Sequence, residues 1–299
     1  MPHRRASVQA RFFAPPAELA RYFTTFYLAE IDVAPGRRVV DYLHPEWANL
    51  RFSSGAPLAA RNGRGMGIAD CHFAVTGPSG QAVRFEVGTC RIWGVGLLPL
   101  GWARFVGLAA ADMADAVLDG AAHDGFAPFM PLAEAIFGDE PDVEGELARI
   151  ARFFAQWPSD GAQDDPRVMA IHAAMIDPAV SSVAEMAQRA GASIRTIERV
   201  CRQSFGFTPK YLLRRQRFMR SLAQFMLDPS LKWIGALDGH YHDQAQFVRE
   251  FRQFMGMTPR EYARMPHPII QAFVRERARI AGAAVQALDG PNGARLGRG

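Results

Sequence analysis

The chain is poor in cysteine. Cys71, Cys90 and Cys201 are scattered, odd in number, and never in a C-x-x-C spacing. That excludes a disulfide scaffold and a cysteine zinc site, and it fits a reducing cytoplasm. Long apolar runs are missing too. The most apolar stretch, Ile92 to Trp102, is too short to span a bilayer and is bracketed by Arg91 and Arg104, so no membrane partner is expected. The N-terminal MPHRRASVQARFFAPPAEL has two early arginines but no apolar signal core. There is no G-x-S-x-G, no Walker loop and no paired-carboxylate motif, so no catalytic residue is assigned and an enzyme is not expected. There is no H-x-H. His44, His72 and His123 stand alone and are read as structural or exposed, so neither a metal nor a cofactor is expected. The segment Gly63-Arg-Gly-Met-Gly67 fits neither nucleotide fingerprint and reads as a hairpin loop.

What is present is a normal globular composition, with 49% hydrophobic and 21% charged residues in 299, enough for two domains. The net charge of +4 is unevenly spread. Residues 1–180 hold 15 Lys and Arg against 21 Asp and Glu, a net −6. Residues 181–264 hold 14 against 7, a net +7, and residues 265–299 hold 5 against 2, a net +3. A basic C-terminal half beside an acidic N-terminal half points to a polyanionic partner for the former.

The basic half contains a repeat. The pattern R-x-x-R-Q-x-x-G-x-T-P falls on Arg199, Arg202, Gln203, Gly206, Thr208 and Pro209. It falls again, offset by 50 (249 − 199), on Arg249, Arg252, Gln253, Gly256, Thr258 and Pro259. The Gly stops one helix, and Thr-Pro caps and starts the next. Ser182 with Glu185 and Asp243 with Gln246 have capping-box spacing. Gly191 supplies a turn and Ser193 a cap. Thus residues 182–205 and 230–255 each read as a helix-turn-helix, joined by a helix from Pro209 to about Leu227. A further helix is expected within Pro229–Leu237 and another near Ile269–Ala284, with 285–299 a disordered tail.

With Ile197, Val200 and Cys201 inward, the opposite face of the first recognition helix carries Arg195, Glu198, Arg199 and Arg202. With Phe247, Phe251 and Met255 inward, the second carries Gln244, Ala245, Arg249 and Arg252. Arg pairs with guanine and Gln with adenine, and Glu accepts from cytosine. Arg202 and Arg252, a turn further along, suit phosphates. A linking helix of about 28 Å is compatible with major-groove faces that recur every ~34 Å. A solvated helix face is the ordinary meaning of paired arginines, but charge, caps, turn and repeat together favour DNA.

Residues 1–140 look β-rich. Strands are expected at Arg38–Leu43, Asn49–Phe52, Ile68–Val75, Ala82–Val87 and Cys90–Val95, with turns at Ser53–Gly55, Gly63–Gly67 and Gly77-Pro78-Ser79-Gly80. An early helix is expected near Ala17–Phe26, residues 107–137 as helical or irregular, and a helix over Glu146–Trp157 before the linker Pro158–Pro166. Tyr42, Trp47, Phe73, Phe85 and Trp93 line a pocket or, more commonly for aromatics in a small barrel, form its core; no ligand-binding residue is assigned.

At the repeat the chain resembles the AraC/XylS family of transcription regulators. The resemblance covers about 165–265 and is most specific in HYHDQAQFVREFRQFMGMTPREY, residues 240–262. It rests on Tyr241, Asp243, Gln244, Ala245, Gln246, Phe247, Arg249, Phe251, Gly256 and Pro259. It departs from the family at His240, where a turn glycine is usual and Gly239 comes one place early, and at Gln246, where His is common. It implies base-reading positions at Arg195, Glu198, Arg199, Gln244, Ala245 and Arg249. The N-terminal part resembles, more loosely, the cupin-like sensor domains fused to such regulators, through PPAELARYFTTFY and residues 91–120.

The resulting expectation is an α+β two-domain protein. A cupin-like β-barrel with flanking helices, residues 1–145, binds an effector or mediates dimerisation. A helix and linker follow at 146–164. An all-α double helix-turn-helix DNA-binding domain spans 165–266, and a tail spans 267–299. The partners the resemblance implies are double-stranded promoter or operator DNA, a small-molecule effector, RNA polymerase and a second copy of the chain, all in the cytoplasm. A DNA-anchored enzyme or repair protein, or a regulator working chiefly through protein contacts, are the alternatives.

Overall fold

The computed structural model describes residues 6–158, 163–230 and 244–281. The N-terminal part forms two antiparallel sheets. The larger has the order β1 (Ser7–Phe13), β2 (Phe23–Asp32), β9 (Cys90–Leu97), β4 (Asn49–Gly55), β7 (Phe73–Thr76) and β10 (Val117–Asp119). The smaller has β3 (Val39–Leu43), β8 (Val83–Val87), β5 (Leu58–Arg61) and β6 (Gly67–Cys71).

The strands expected at 38–43, 49–52, 82–87 and 90–95 are present as β3, β4, β8 and β9. Three expectations are corrected. Ser53–Gly55 is not a turn but the end of β4, still paired with Ile92–Cys90 of β9. Ala17–Phe26 is not a helix: residues 17–22 form hydrogen-bonded turns, and the β-branched and aromatic run from Phe23 pairs with β1 and β9 as a strand. Ile68–Val75 is not one strand either. Asp70 adopts φ 52°, and the chain leaves the small sheet as β6 and enters the large one as β7. Residues 107–137 are mostly turns and short helix, α2 (Met130–Ala135), but also contain β10.

Between strands and helices lie α1 (Pro99–Phe105) and α3 (Val143–Ala155). The fully buried Glu146 of α3 receives both Arg91 Nη groups, at 2.6 and 2.8 Å, and the Trp93 indole N–H at 2.6 Å. That ion pair locks α3 to β9.

The C-terminal part is helical: α4 (Pro166–Ile176), α5 (Val183–Arg189), α6 (Ile194–Val200), α7 (Pro209–Leu227), α8 (Gln244–Met255), α9 (Pro259–Arg264) and α10 (Pro268–Ala281). The helix expected within 229–237, the cap at Asp243 and the tail at 285–299 lie, wholly or mostly, outside the described residues. One continuous hydrophobic cluster joins the two parts, running from Phe26 and Trp93 through Trp47 to Phe205, Phe218 and Phe251.

The last helix returns to the sheets. Asp41 of β3, fully buried, accepts from the backbone N–H groups of Ile269 (3.0 Å) and Ile270 (2.9 Å) at the start of α10. A carboxylate there satisfies orphan donors and complements the helix dipole. Asp41 also lies 2.9 Å from His267 Nδ1, and His267 Nε2 lies 2.8 Å from the Tyr262 carbonyl. Burial opposes the His267 charge, but the bonds to Asp41 and the carbonyl outweigh it and raise its pKa above 6.5. Contact with α10 therefore strengthens where His267 is protonated.

Asp41→Ala orphans two helix N–H groups and the imidazolium, and is expected to cost about 2–5 kcal/mol in urea unfolding. The His267 contribution is fully present below its unfolded pKa of 6.5 and is lost as pH rises through the raised folded value. The stability gap between the native chain and His267→Gln should accordingly narrow as pH rises above 6.5; a gap that widens would contradict the pairing.

Candidate nucleic-acid interface and interior cavity

The first helix-turn-helix is built by local signals. The Ser182 hydroxyl accepts from Glu185 N–H, and the Glu185 carboxylate accepts from the Ser181 and Ser182 N–H groups. Those backbone bonds hold the Glu185 carboxyl below its usual range. Gly191 turns the chain at φ 62°, and Ser193 caps α6 through Thr196 N–H. The helix continues past α6 as one wider turn, Cys201–Phe205, and ends at Gly206 with φ 87°. Ile197, Val200, Cys201 and Phe205 are buried. Arg195, Glu198, Arg199 and Arg202 are all exposed on the other side. Their spacing of three, one and three residues puts them along one face.

The second recognition helix is α8. Phe247, Phe251, Phe254 and Met255 are buried, while Gln244, Ala245, Arg249 and Arg252 are exposed. Gly256 has φ 73°, matching Gly206 in the repeat, and Thr258 and Glu261 form a reciprocal capping box. Both helix stops thus use the left-handed conformation that favours glycine. Glu250, on the buried side of α8, takes Arg217 at 2.7 Å and Arg214 at 3.3 Å from α7. Arg214 also donates to Gln253 at 2.7 Å. The ion pairs attach the second recognition helix to the linking helix while its own arginines stay free to face outward. The eight residues singled out from sequence are therefore all exposed, four on each recognition helix.

The sheet side of the molecule encloses a cavity of about 100 Å³. Its walls come from Ala29 and Ile31 of β2, Ala60 of β5, Phe85 and Val87 of β8, Met219 and Met226 of α7, and Ile270 and Phe273 of α10. Tyr27, His44, Glu46, Arg51 and Arg277 supply polar groups. Arg51 donates to Tyr27 Oη (2.9 Å) and Thr76 Oγ1 (2.8 Å) and pairs closely with Glu46. Burial works against its charge, but Glu46 and Tyr27 prevail and push the guanidinium up. Arg277 has no carboxylate at ion-pair distance among the described residues; it lies 4.9 Å over the Phe12 ring, and burial lowers its pKa. His44 is driven down to about 3 by burial and stays neutral, its Nε2 2.8 Å from Tyr262 Oη.

Of the five aromatics considered as pocket lining, only Phe85 borders this cavity; Trp47, Phe73 and Trp93 are buried core, and Tyr42 packs against it. The lining residues missed from sequence are aliphatics and methionines, Tyr27 and Phe273, and the polar Glu46, Arg51 and Arg277, none of which falls in a motif. His72 and His123 make local bonds to Ser53 and to Gly125 N–H. All three cysteines are buried free thiols, pushed up to about 12, 11 and 12 by burial. Among the described residues no group of three His, Cys, Asp or Glu converges as a metal site, and no helix is long and apolar enough to cross a membrane.

Residues 186–265 match the family described as a helix-turn-helix domain. The C-terminal helical region thus contains a helix-turn-helix domain. No curated protein matches by sequence. Among solved structures, ToxT from Vibrio cholerae is similar at 11% identity and a TM-score of 0.44, over 86% of this chain and 97% of that one. ToxT with a bound unsaturated fatty acid is similar at 10% identity and a TM-score of 0.41, over 86% and 94%. The AraC-like transcriptional activator CuxR is similar at 14% identity and a TM-score of 0.30, over 73% and 87%.

Proposed function

We propose that this chain is a transcription regulator that reads two unlike half-sites with α6 and α8 and answers to a small molecule held in the sheet-domain cavity. The observation that carries the DNA part is the pair of exposed faces in the same repeat register. Arg195, Glu198 and Arg199 read bases from the first helix; Gln244, Ala245 and Arg249 read them from the second. Arg202 and Arg252, near the helix ends, bind phosphates. The duplicated frame with different leading residues predicts different half-sites. Promoter DNA is the target, RNA polymerase the machinery acted on, and a homodimer the assembly implied.

The effector part rests on the cavity. Its walls are mainly aliphatic and aromatic, and at its polar end Arg277 has no carboxylate at ion-pair distance among the described residues, with Glu46 the carboxylate that acts on it from further off. Such a site favours a compact molecule with an apolar body and one anionic or acceptor group.

A mobility-shift assay on the chain's own upstream region tests the base-reading roles. Arg249→Ala should weaken the preferred fragment by roughly tenfold while sparing non-specific DNA. Arg252→Ala should weaken both, lowering the salt slope by about one. No loss in either variant would refute the roles. For the cavity, a thermal-shift screen of small apolar carboxylates should raise Tm by several degrees, about 2–4 °C per kcal/mol of binding. Arg277→Met should abolish that rise; equal stabilisation of the variant would remove Arg277 from the site.

A further inference from the structure

Each recognition helix ends with carbonyls that have no partner inside the helix. At both helices the sheet domain fills them. Ala110 N–H donates to Gln203 O at 2.8 Å, and Ala111 N–H donates to Arg202 O at 3.0 Å, at the end of the first recognition helix. Ala82 N–H donates to Phe254 O at 2.7 Å, at the end of α8. The repeat offset of 50 carries Gln203 to Gln253, so the two helices are gripped within one residue of the same place.

The two gripping loops are one block. Gly77 N–H donates to Ala116 O (3.0 Å), Asp115 N–H to Pro78 O (2.9 Å), and Gly80 N–H to the Asp115 carboxylate (2.6 Å). The same block holds the linking helix between the grips. Tyr211 Oη donates to Gly80 O at 2.8 Å and Arg215 to Ser79 O at 2.8 Å. A Cβ on Gly80 would lie 2.4 Å from Tyr211 Oη, so the turn and the helix are in direct contact. Thr76 and Val117, one residue outside the loops on either side of this block, border the cavity.

We infer that the sheet domain is a positioning element for DNA recognition: the backbone amides of Ala82, Ala110 and Ala111 fix the distance and orientation between the two recognition helices, and hence the spacing of the half-sites they read. The inference rests on the reading that α6 and α8 contact bases. Besides the two bonds from α7 to Gly80 and Ser79, three bonds of the sheet domain fall on the ends of the recognition helices themselves, so α7 is not the only element that sets their placement. A structural origin for half-site spacing in the sheet domain also places the cavity one residue from the elements that set it.

The test uses the full-length chain and a pool of duplexes in which two selected half-sites are separated by varied spacers. The native protein should favour one spacing by about tenfold over spacings two base pairs away, because both helices must engage at once. Ala82→Pro removes the N–H that grips α8, and the preference should fall to about twofold while affinity for each isolated half-site is unchanged. Tyr211→Phe, which keeps the ring and removes only the bond to Gly80 O, should show a smaller relaxation in the same direction and serves if the proline variant does not fold. A spacing preference that persists in folded Ala82→Pro, or in Tyr211→Phe where the former does not fold, overturns the positioning role alone. If Arg249→Ala leaves affinity for its isolated half-site untouched, the base-reading assignment fails, and the positioning role with it.

Discussion

Arg215 lies wholly buried where the turn at 77–82 meets α7. Its guanidinium donates to the Ser79 carbonyl and stacks 4.1 Å over Trp47, with Phe207 at 5.6 Å. Burial pushes it down to about 9, so it is still charged at neutral pH. A buried cation without a carboxylate at ion-pair distance is costly unless fixed dipoles and π faces surround it. Here those groups all come from the two parts being joined: carbonyl and indole from the sheet domain, the phenyl ring from the turn before α7. Among the described residues its Nε and Nη2 have no hydrogen-bond partner, so burying Arg215 is a cost that the Trp47 and Phe207 faces, the Ser79 carbonyl and the surrounding packing must outweigh to hold the helices against the sheets. The cluster of Trp47, His172 and Phe205 beside it extends that packing to α4 and to the end of the first recognition helix.

From this joint the roles separate. The helical region is basic and presents Arg195, Arg199, Arg202, Arg249 and Arg252 outward; the sheet region is acidic and turns apolar groups inward around a cavity. The tail helix α10 belongs to both. It is capped by Asp41 of the sheets and follows α9 directly, and it lends Phe273 and Arg277 to the cavity wall. A change in the cavity therefore reaches α7 and α10 through shared packing, with no separate relay.

The helical half was legible because its signals are local. Ser193, Thr208 and Thr258 cap within three residues, Gly206 and Gly256 take positive φ, and a period of 3.6 separates Ile197 and Val200 from Arg195 and Arg199. The sheet half was legible only where alternation or turn chemistry marked a strand. β1, β2 and β5 went unread: Phe23–Asp32 is preceded by a helix-like composition, and Leu58–Arg61 is four residues long. The switch at Cys71–Phe73 has no composition cue, because pairing with β5 on one side and with β4 on the other decides it. The Gly77–Gly80 turn was visible as a turn, but its contacts with Tyr211 and Arg215 span more than 130 positions. Asp41 and His267 meet across 226 positions. No local pattern encodes such contacts, and the cavity, lined by ordinary alanines and valines, left no trace in the sequence.

The joint between the sheets and α7 holds α6 and α8 in one molecule so that two different helices can meet one side of a duplex. Hydroxyl-radical footprinting of the full-length chain on a fragment selected from random DNA measures that most directly. The account predicts two protected patches on the same face, centred about one helical turn apart, roughly 10 base pairs. A single patch, or two patches on opposite faces, would contradict it.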